Sequence, residues 1–273
     1  MSPATPSPRT ALLSPRGGRM IAETRTRALS LRRVAGLLEP GVVQIVQEYD
    51  ARRRVAGLDV SGPFWTVGLC RVLRGRVRFR SAEGRVDVPW RTFGILLPPG
   101  AVVHAELDRA HAFSVAVLSR GEYPRGLPTT AAVFRARRFG GLRSLADALR
   151  LVPRRGLIPI HYDRRPAGVA QRLREGIDRA YAAPARLADI MRRCRLSPAV
   201  AARYFRKAYG LTPGRYRSAL RVQDGMIRLA SGQRIADIFQ DVGFEDLSAF
   251  YRGFRALACG PPGRYSSKKS KNA

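Results

Sequence analysis

Lysine, histidine and cysteine are scarce in this sequence, and each scarcity excludes something. Of 50 basic residues only Lys207, Lys268, Lys269 and Lys271 are lysine, so the formal net charge of +30 is mostly arginine. With so much alanine, glycine and proline, that skew is what GC-rich coding produces. The charge favours an anionic partner but locates none, because it is spread over both halves of the chain. The cysteines, Cys70, Cys194 and Cys259, are odd in number and far apart, which argues against a disulfide framework and a zinc site. The histidines, His104, His111 and His161, form no His-x-His pair, too few for a metal-binding cluster. No apolar run approaches the ~18 residues of a membrane-spanning helix. Met1 to Met20 lacks the apolar core of a secretory signal. A cytoplasmic protein with no membrane partner is expected, starting at Met1 or Met20. Glycine-rich phosphate loops, Gly-x-Ser-x-Gly and paired carboxylates are also missing, so neither catalysis nor a cofactor is expected.

What remains is enough for a core: 273 residues, 45% hydrophobic, with mean hydropathy −0.20. Residues 1–27, rich in Pro, Ser, Thr and Arg, read as a disordered tail. Residues 28–135 read as a β domain. Its expected strands are 42–49, 64–73, 76–80, 93–97, 102–107 and 112–118, with turns at Gly75, Gly84 and Pro98-Pro99-Gly100. Residues 136–183 read as a helical connector with two amphipathic helices. Leu142, Leu145, Ala146, Leu149 and Val152 line the first, which Pro153 stops. Val169, Leu173, Ile177 and Tyr181 line the second. Residues 184–266 read as an all-α domain, and 267–273 as a basic tail.

The α domain contains a repeat. Leu187-Ala188-Asp189-Ile190 returns as Ile235-Ala236-Asp237-Ile238, 48 residues later. Arg203-Tyr204-Phe205 and Pro213-Gly214-Arg215-Tyr216 return at 49 residues, as Arg252-Gly253-Phe254 and Pro262-Gly263-Arg264-Tyr265. Each copy spells helix, tight turn, helix. In the first, Pro184 opens a helix with Leu187, Ala188 and Met191 inward, and Cys194 and Leu196 line the turn. Ser197 caps a second helix that begins at Pro198, buries Ala201, Tyr204 and Phe205 and stops at Gly210. In the second copy Ile235, Ile238, Phe239 and Val242 face inward, Gly243-Phe244 turns, Asp246 caps, and Phe250 and Phe254 anchor. A long helix from Arg215 to Ser231 joins the copies, with Gly225 inside it at a cost of ~1 kcal/mol relative to alanine.

Two helix-turn-helix units on one rigid helix suit successive major grooves, roughly 34 Å apart on one face of a duplex. Outward residues are Ala199, Ala202, Arg203 and Arg206 in the first unit, and Leu247, Ser248, Tyr251, Arg252 and Arg255 in the second. Arg203 and Arg252 occupy the same place in the repeat. The two alanines offer only thymine-methyl contact, and Arg206, Lys207 and Arg255 suit phosphates better than bases.

Across about Leu187 to Tyr265 the sequence resembles the AraC family of bacterial transcription regulators. The resemblance rests on Ala188-Asp189-Ile190, Leu196-Ser197, Arg203-Tyr204-Phe205, Gly210-Leu211-Thr212-Pro213, Ile235-Ala236-Asp237-Ile238, Gly243-Phe244, Phe250 to Arg255, Pro262 and Tyr265. It implies DNA reading by Ala199, Ala202 and Arg203, and by Leu247, Ser248, Tyr251 and Arg252. Phe239, Cys259 and Gly225 depart from the family's usual alanine, glycine and helix former. The β pattern, the Leu97-to-Gly100 turn and His104 resemble the family's cupin-like sensor domain. The expected fold class is thus α+β multidomain: a cupin-like β-barrel, then two helix-turn-helix units joined by a linker helix.

The expected function is sequence-specific binding to promoter or operator DNA, with activation of transcription. The resemblance also implies RNA polymerase contact, a homodimer and a small-molecule effector in the barrel. Trp65, Phe79, Trp90 and Phe93 either line an effector pocket or form ordinary core, so no effector-binding residues are assigned. The alternatives are a ligand-independent or nonspecific architectural DNA binder, which would use charge alone, and a cupin enzyme with a DNA-binding appendage.

Overall fold

The computed structural model describes residues 19–81, 84–160, 168–184, 186–195, 197–258 and 261–265. Residues 1–18, His161, Leu196, Cys259 and the basic tail lie outside them.

Ten strands form one antiparallel sheet: β1 (Arg19–Arg25), β2 (Leu29–Glu39), β3 (Val42–Ala51), β4 (Arg54–Val60), β5 (Trp65–Ser81), β6 (Gly84–Asp87), β7 (Thr92–Leu97), β8 (Val102–Ser119), β9 (Ala132–Arg135) and β10 (Ile158–Pro159). The order is β1-β2-β3-β8-β5-β7-β9-β10, with β4 on β8 and β6 on β5.

The long strands β5 and β8 organise this sheet, and the sequence pattern had divided each of them in two. Gly75, expected to end a strand, lies within β5 where the register slips between Arg74 and Arg76. Its φ is +73°, and a Cβ there would fall 2.3 Å from the Arg109 carbonyl oxygen. Arg109 itself has φ +46°. The irregularity therefore lies in both strands, and it marks where their partners change. Before it β5 pairs with β7, after it with β6; β8 pairs first with β4, then with β3.

The tail expected to be disordered through residue 27 is ordered from Arg19, because β1 pairs with β2 from Arg19↔Ala35 to Arg25↔Ser30. Strands β1, β2, β4, β6, β9 and β10 were not read from the sequence.

Among the described residues seven α-helices follow or flank the strands: α1 (Leu145–Leu151), α2 (Gly168–Ala180), α3 (Leu187–Arg193), α4 (Pro198–Tyr209), α5 (Pro213–Ala230), α6 (Ile235–Asp241) and α7 (Leu247–Leu257), with a 3-10 turn at Pro262–Arg264. The α+β multidomain class is thus what the chain adopts. The connector of 136–183 divides, however. Helix α1, capped by Ser144 on the Asp147 amide, buries Ala148 in the core of the sheet with Trp65, Leu69 and Val115. Helix α2 buries Ala170, Leu173 and Ile177 among α3 to α7.

The two parts share one core. Strand β3 is buried on both faces, which is why Val42 to Val46 is nearly unbroken apolar sequence. Val42 and Val46 join the sheet's own core, whereas Val43 and Ile45 join Phe64, Val102, Leu118 and the helices. Polar ties cross the same seam. Gln223 Nε2 donates to the Val60 carbonyl. Arg174 donates to the Gly100 carbonyl at 2.5 Å. His104 Nε2 stands 3.3 Å from the Tyr209 carbonyl oxygen.

Candidate nucleic-acid interface

Helices α4 and α7 are built alike. Ser197 accepts from the Val200 amide at 3.4 Å with Pro198 in the first turn, and Asp246 accepts from the Ala249 amide at 2.7 Å. Each cap satisfies an amide the helix start leaves open. Gly210 then ends α4 in the left-handed region.

The turns before these helices are also equivalent. Arg195 has φ +57° and Gly243, 48 residues on, has φ +93°. Ser197 and Asp246 are 49 apart, so the extra residue of the second unit falls between turn and cap.

The anchoring of the helices repeats as well. Phe205 and Phe254 are fully buried, and each meets the tyrosine of its Pro-Gly-Arg-Tyr copy edge-on. The ring centroids are 5.4 Å apart for Phe205–Tyr216 and 5.7 Å for Phe254–Tyr265. Tyr216 also donates to Asp178 Oδ1 at 2.6 Å. Burial pushes the Asp178 carboxyl up to about 6, against the pull of Tyr216 and Arg174. Gly225 is explained here: a Cβ at that position would lie 2.9 Å from the Phe254 ring. Helix α5 lacks a side chain there because the anchor of α7 fills the space.

With these faces turned inward, the expected reading residues are left outside. Ala199, Arg203, Arg206 and Lys207 of α4 are exposed and Ala202 is half-buried. On α7, Leu247 (44% exposed), Ser248, Arg252 and Arg255 are exposed, and Tyr251 is half-buried against Phe250.

Three sequence expectations need correction. Tyr204, placed in the core, is 36% exposed and lies against the Arg203 guanidinium, 5.4 Å from ring centre to Cζ. It adds a flat, partly apolar surface to α4 that the Arg-Tyr-Phe repeat did not reveal, since Gly253 stands at the equivalent place. Ala188 is exposed, and Ile190 with Met191 forms the inner face of α3. Helix α3 begins at Leu187, with Arg186 rather than Pro184 before it.

Arg206 has a second neighbourhood. It borders a cleft of about 440 Å³ between sheet and helices, together with His104, Thr212, Arg215 and Ala56. Burial lowers the His104 imidazole below its ordinary pKa. In the β domain, Trp65, Phe79 and Phe93 are packed core, and only Trp90 borders an open cavity, of about 250 Å³, beside Val72 and Arg76. Among the described residues no group of three His, Cys, Asp or Glu side chains is placed to hold a metal, and no helix is long and apolar enough to cross a membrane.

Residues 190–268 match a family described as a helix-turn-helix domain. No curated protein matches the chain. Among solved structures, it is similar to ToxT from Vibrio cholerae O395, at 12% identity and TM-score 0.42 over 83% of this chain and 97% of that one. It is also similar to the C-terminal domain of AraT, a response regulator from Geobacillus stearothermophilus, at 18% identity and TM-score 0.36 over 40% of this chain and 94% of that one. The Schizosaccharomyces pombe Cnp3 cupin domain gives 10% identity and TM-score 0.27 over 36% of this chain and 66% of that one.

The matched segment and its repeated caps and anchors define the class: a DNA-binding transcription regulator. Its C-terminal domain is a double helix-turn-helix of the AraC type.

Proposed function

We propose that the protein binds a specific promoter or operator site through two successive major grooves and thereby changes transcription from it. The observation that carries this reading is the duplication itself. Two helices with the same cap and the same buried Phe–Tyr anchor each present an arginine, Arg203 and Arg252, at the same place in the repeat. In this reading Ala199, Ala202 and Arg203 face one groove, and Leu247, Ser248, Tyr251 and Arg252 the next. Arg206, Lys207 and Arg255 hold phosphates.

Activation, RNA polymerase contact, a homodimer and a cytoplasmic, non-catalytic role follow from the resemblance to the AraC family. Effector control is part of the same proposal. A small molecule changes DNA binding only if it prefers one arrangement of the domains. The core of the β domain is filled by side chains such as Trp65 and Phe93, so the cleft beside His104, Arg206 and Arg215 is the better place for it.

Selection of bound duplexes from a random pool, at physiological salt, tests the reading. Two short enriched blocks about one helical turn apart support it. Recovery of no motif, with binding that collapses as salt rises and any duplex competing equally, would favour the nonspecific alternative.

A further inference from the structure

A two-block site is read well only if both units are held at a fixed offset, and the residues that hold them lie on α5. Arg217 and Arg221 are about one turn apart on that helix. Arg217 donates from Nε to the Tyr181 carbonyl at 3.0 Å, and from Nη2 to those of Ala180 and Ala183 at 3.3 and 2.6 Å. Arg221 donates from Nε to the Tyr181 carbonyl at 2.7 Å. These carbonyls lie at and just beyond the end of α2, where a helix leaves acceptors unpaired and partial negative charge gathers. Helix α2 packs on α3 and α4, in the first unit.

Arg221 also meets the second unit. Its guanidinium lies over the Phe244 ring, 5.7 Å from the centroid. Phe244 and Gly243 form the turn between α6 and α7. A Cβ at Gly243 would come within 2.8 Å of the Ala182 carbonyl oxygen and 2.9 Å of Arg221 Nε. The second unit's turn is thus pressed against the chain leaving α2, with Arg221 wedged beside it.

This is an expensive way to fill space. Arg217 is 6% exposed, and among the described residues neither arginine pairs with a carboxylate at contact distance; Glu245 acts on them only through space. Burial brings the Arg221 guanidinium down to about 10. Aliphatic side chains could pack there without that cost, but they could not bond α2 in one direction and stack on Phe244 in the other.

The geometry points to Arg221 as a spacing determinant: it fixes the offset of α4 from α7 and therefore which separation of the two DNA blocks the protein selects. The inference rests on the two-groove reading proposed above, and its test has one arm that does not use DNA.

In that arm, nitroxide labels at Lys207→Cys on α4 and Ala256→Cys on α7 report the inter-unit distance by pulsed electron resonance. The labels are placed in full-length protein with its native cysteines changed to serine. The parent gives one narrow distribution. Arg221→Met, which keeps length and loses the bond, broadens or shifts it while melting stays cooperative. Arg221→Lys, which keeps the charge but not the flat stack, falls between. Distributions identical to the parent's in both variants would overturn the inference.

The second arm measures affinity for the selected duplex and for versions with one or two base pairs added or removed between the blocks. The parent loses about tenfold or more on changed spacing, whereas Arg221→Met binds native and altered spacings within about threefold. Its affinity for a single block is unchanged. Equal loss at every spacing would reduce Arg221 to a stabilising residue and overturn the inference. If the parent selects no motif, the sequence-specific reading fails, and the distance distributions alone decide whether Arg221 sets the offset.

Discussion

Arg120, the residue that follows β8, holds its Nη1 2.9 Å from Oδ1 of Asp224 on α5. Asp224 is completely buried, and its other oxygen accepts from the Tyr181 hydroxyl at 3.0 Å. Arg228, one turn along α5, stands 3.3 Å from the same Oδ1. One carboxylate therefore joins the sheet, the residue after α2 and the helix that links the reading units.

A buried carboxylate with three partners leaves them stranded when it is removed. Asp224→Ala is expected to lower stability by about 3–5 kcal/mol. Arg120→Ala should cost clearly less, because Arg228 and Tyr181 remain and Arg120 itself is 46% exposed at its side chain. Urea unfolding of both variants checks the order. Equal or reversed costs would mean that the seam is held by its apolar contacts alone.

Replacing a mid-helix glycine by alanine ordinarily stabilises by ~1 kcal/mol. At Gly225 the opposite is expected, because the added methyl meets the Phe254 ring at 2.9 Å and overpacks the anchor of α7. A loss of about 1–3 kcal/mol in thermal unfolding is the expected outcome. A higher melting temperature would show that the ring yields freely.

The contrast between the two halves of the chain has a physical cause. In the α domain each structural event has a local signal: Ser197 and Asp246 cap, Gly210 stops, and Phe205 and Phe254 fall on the helical period. The repeat then made each unit a check on the other. Strand pairing has no such local mark. Gly75 and Arg109 sit in irregular strand, not at strand ends, and only the pairing of β5 with β8 across them reveals it. The edge strand β1 has an arginine-rich sequence with little alternation, so it looked like tail. The helices' roles in the seam were also hidden. Leu173 and Ile177 declare an apolar face, but nothing local says that the face packs into a core shared by α3, α4 and the sheet. Tyr204 was misplaced because the helical period tolerates it on the boundary of the buried stripe.

The Asp178 carboxyl, held at about 6 by burial against an ordinary 3.8, gives a pH signature. A carboxyl whose pKa rises on folding stabilises fully below its unfolded pKa, near 4, and that contribution is lost as pH rises through about 6. Asp178→Asn keeps an acceptor for the Tyr216 hydroxyl and cannot ionise. Its stability should match that of the parent at about pH 4 and exceed it by ~1–3 kcal/mol at pH 8. Chemical denaturation at the two pH values measures this. A parent that is the more stable at pH 8 would contradict the burial argument.

The central claim is that each helix-turn-helix unit reads its own block of DNA. The most direct measurement is the affinity of Arg203→Ala and Arg252→Ala for the selected duplex, for duplexes with either block scrambled, and for unrelated DNA. If the claim holds, each substitution costs about 1–3 kcal/mol on the intact site, and scrambling the block that its own unit reads abolishes the difference from the parent. Binding to unrelated DNA stays nearly unchanged. Equal losses on every duplex would make both arginines phosphate contacts and contradict the claim.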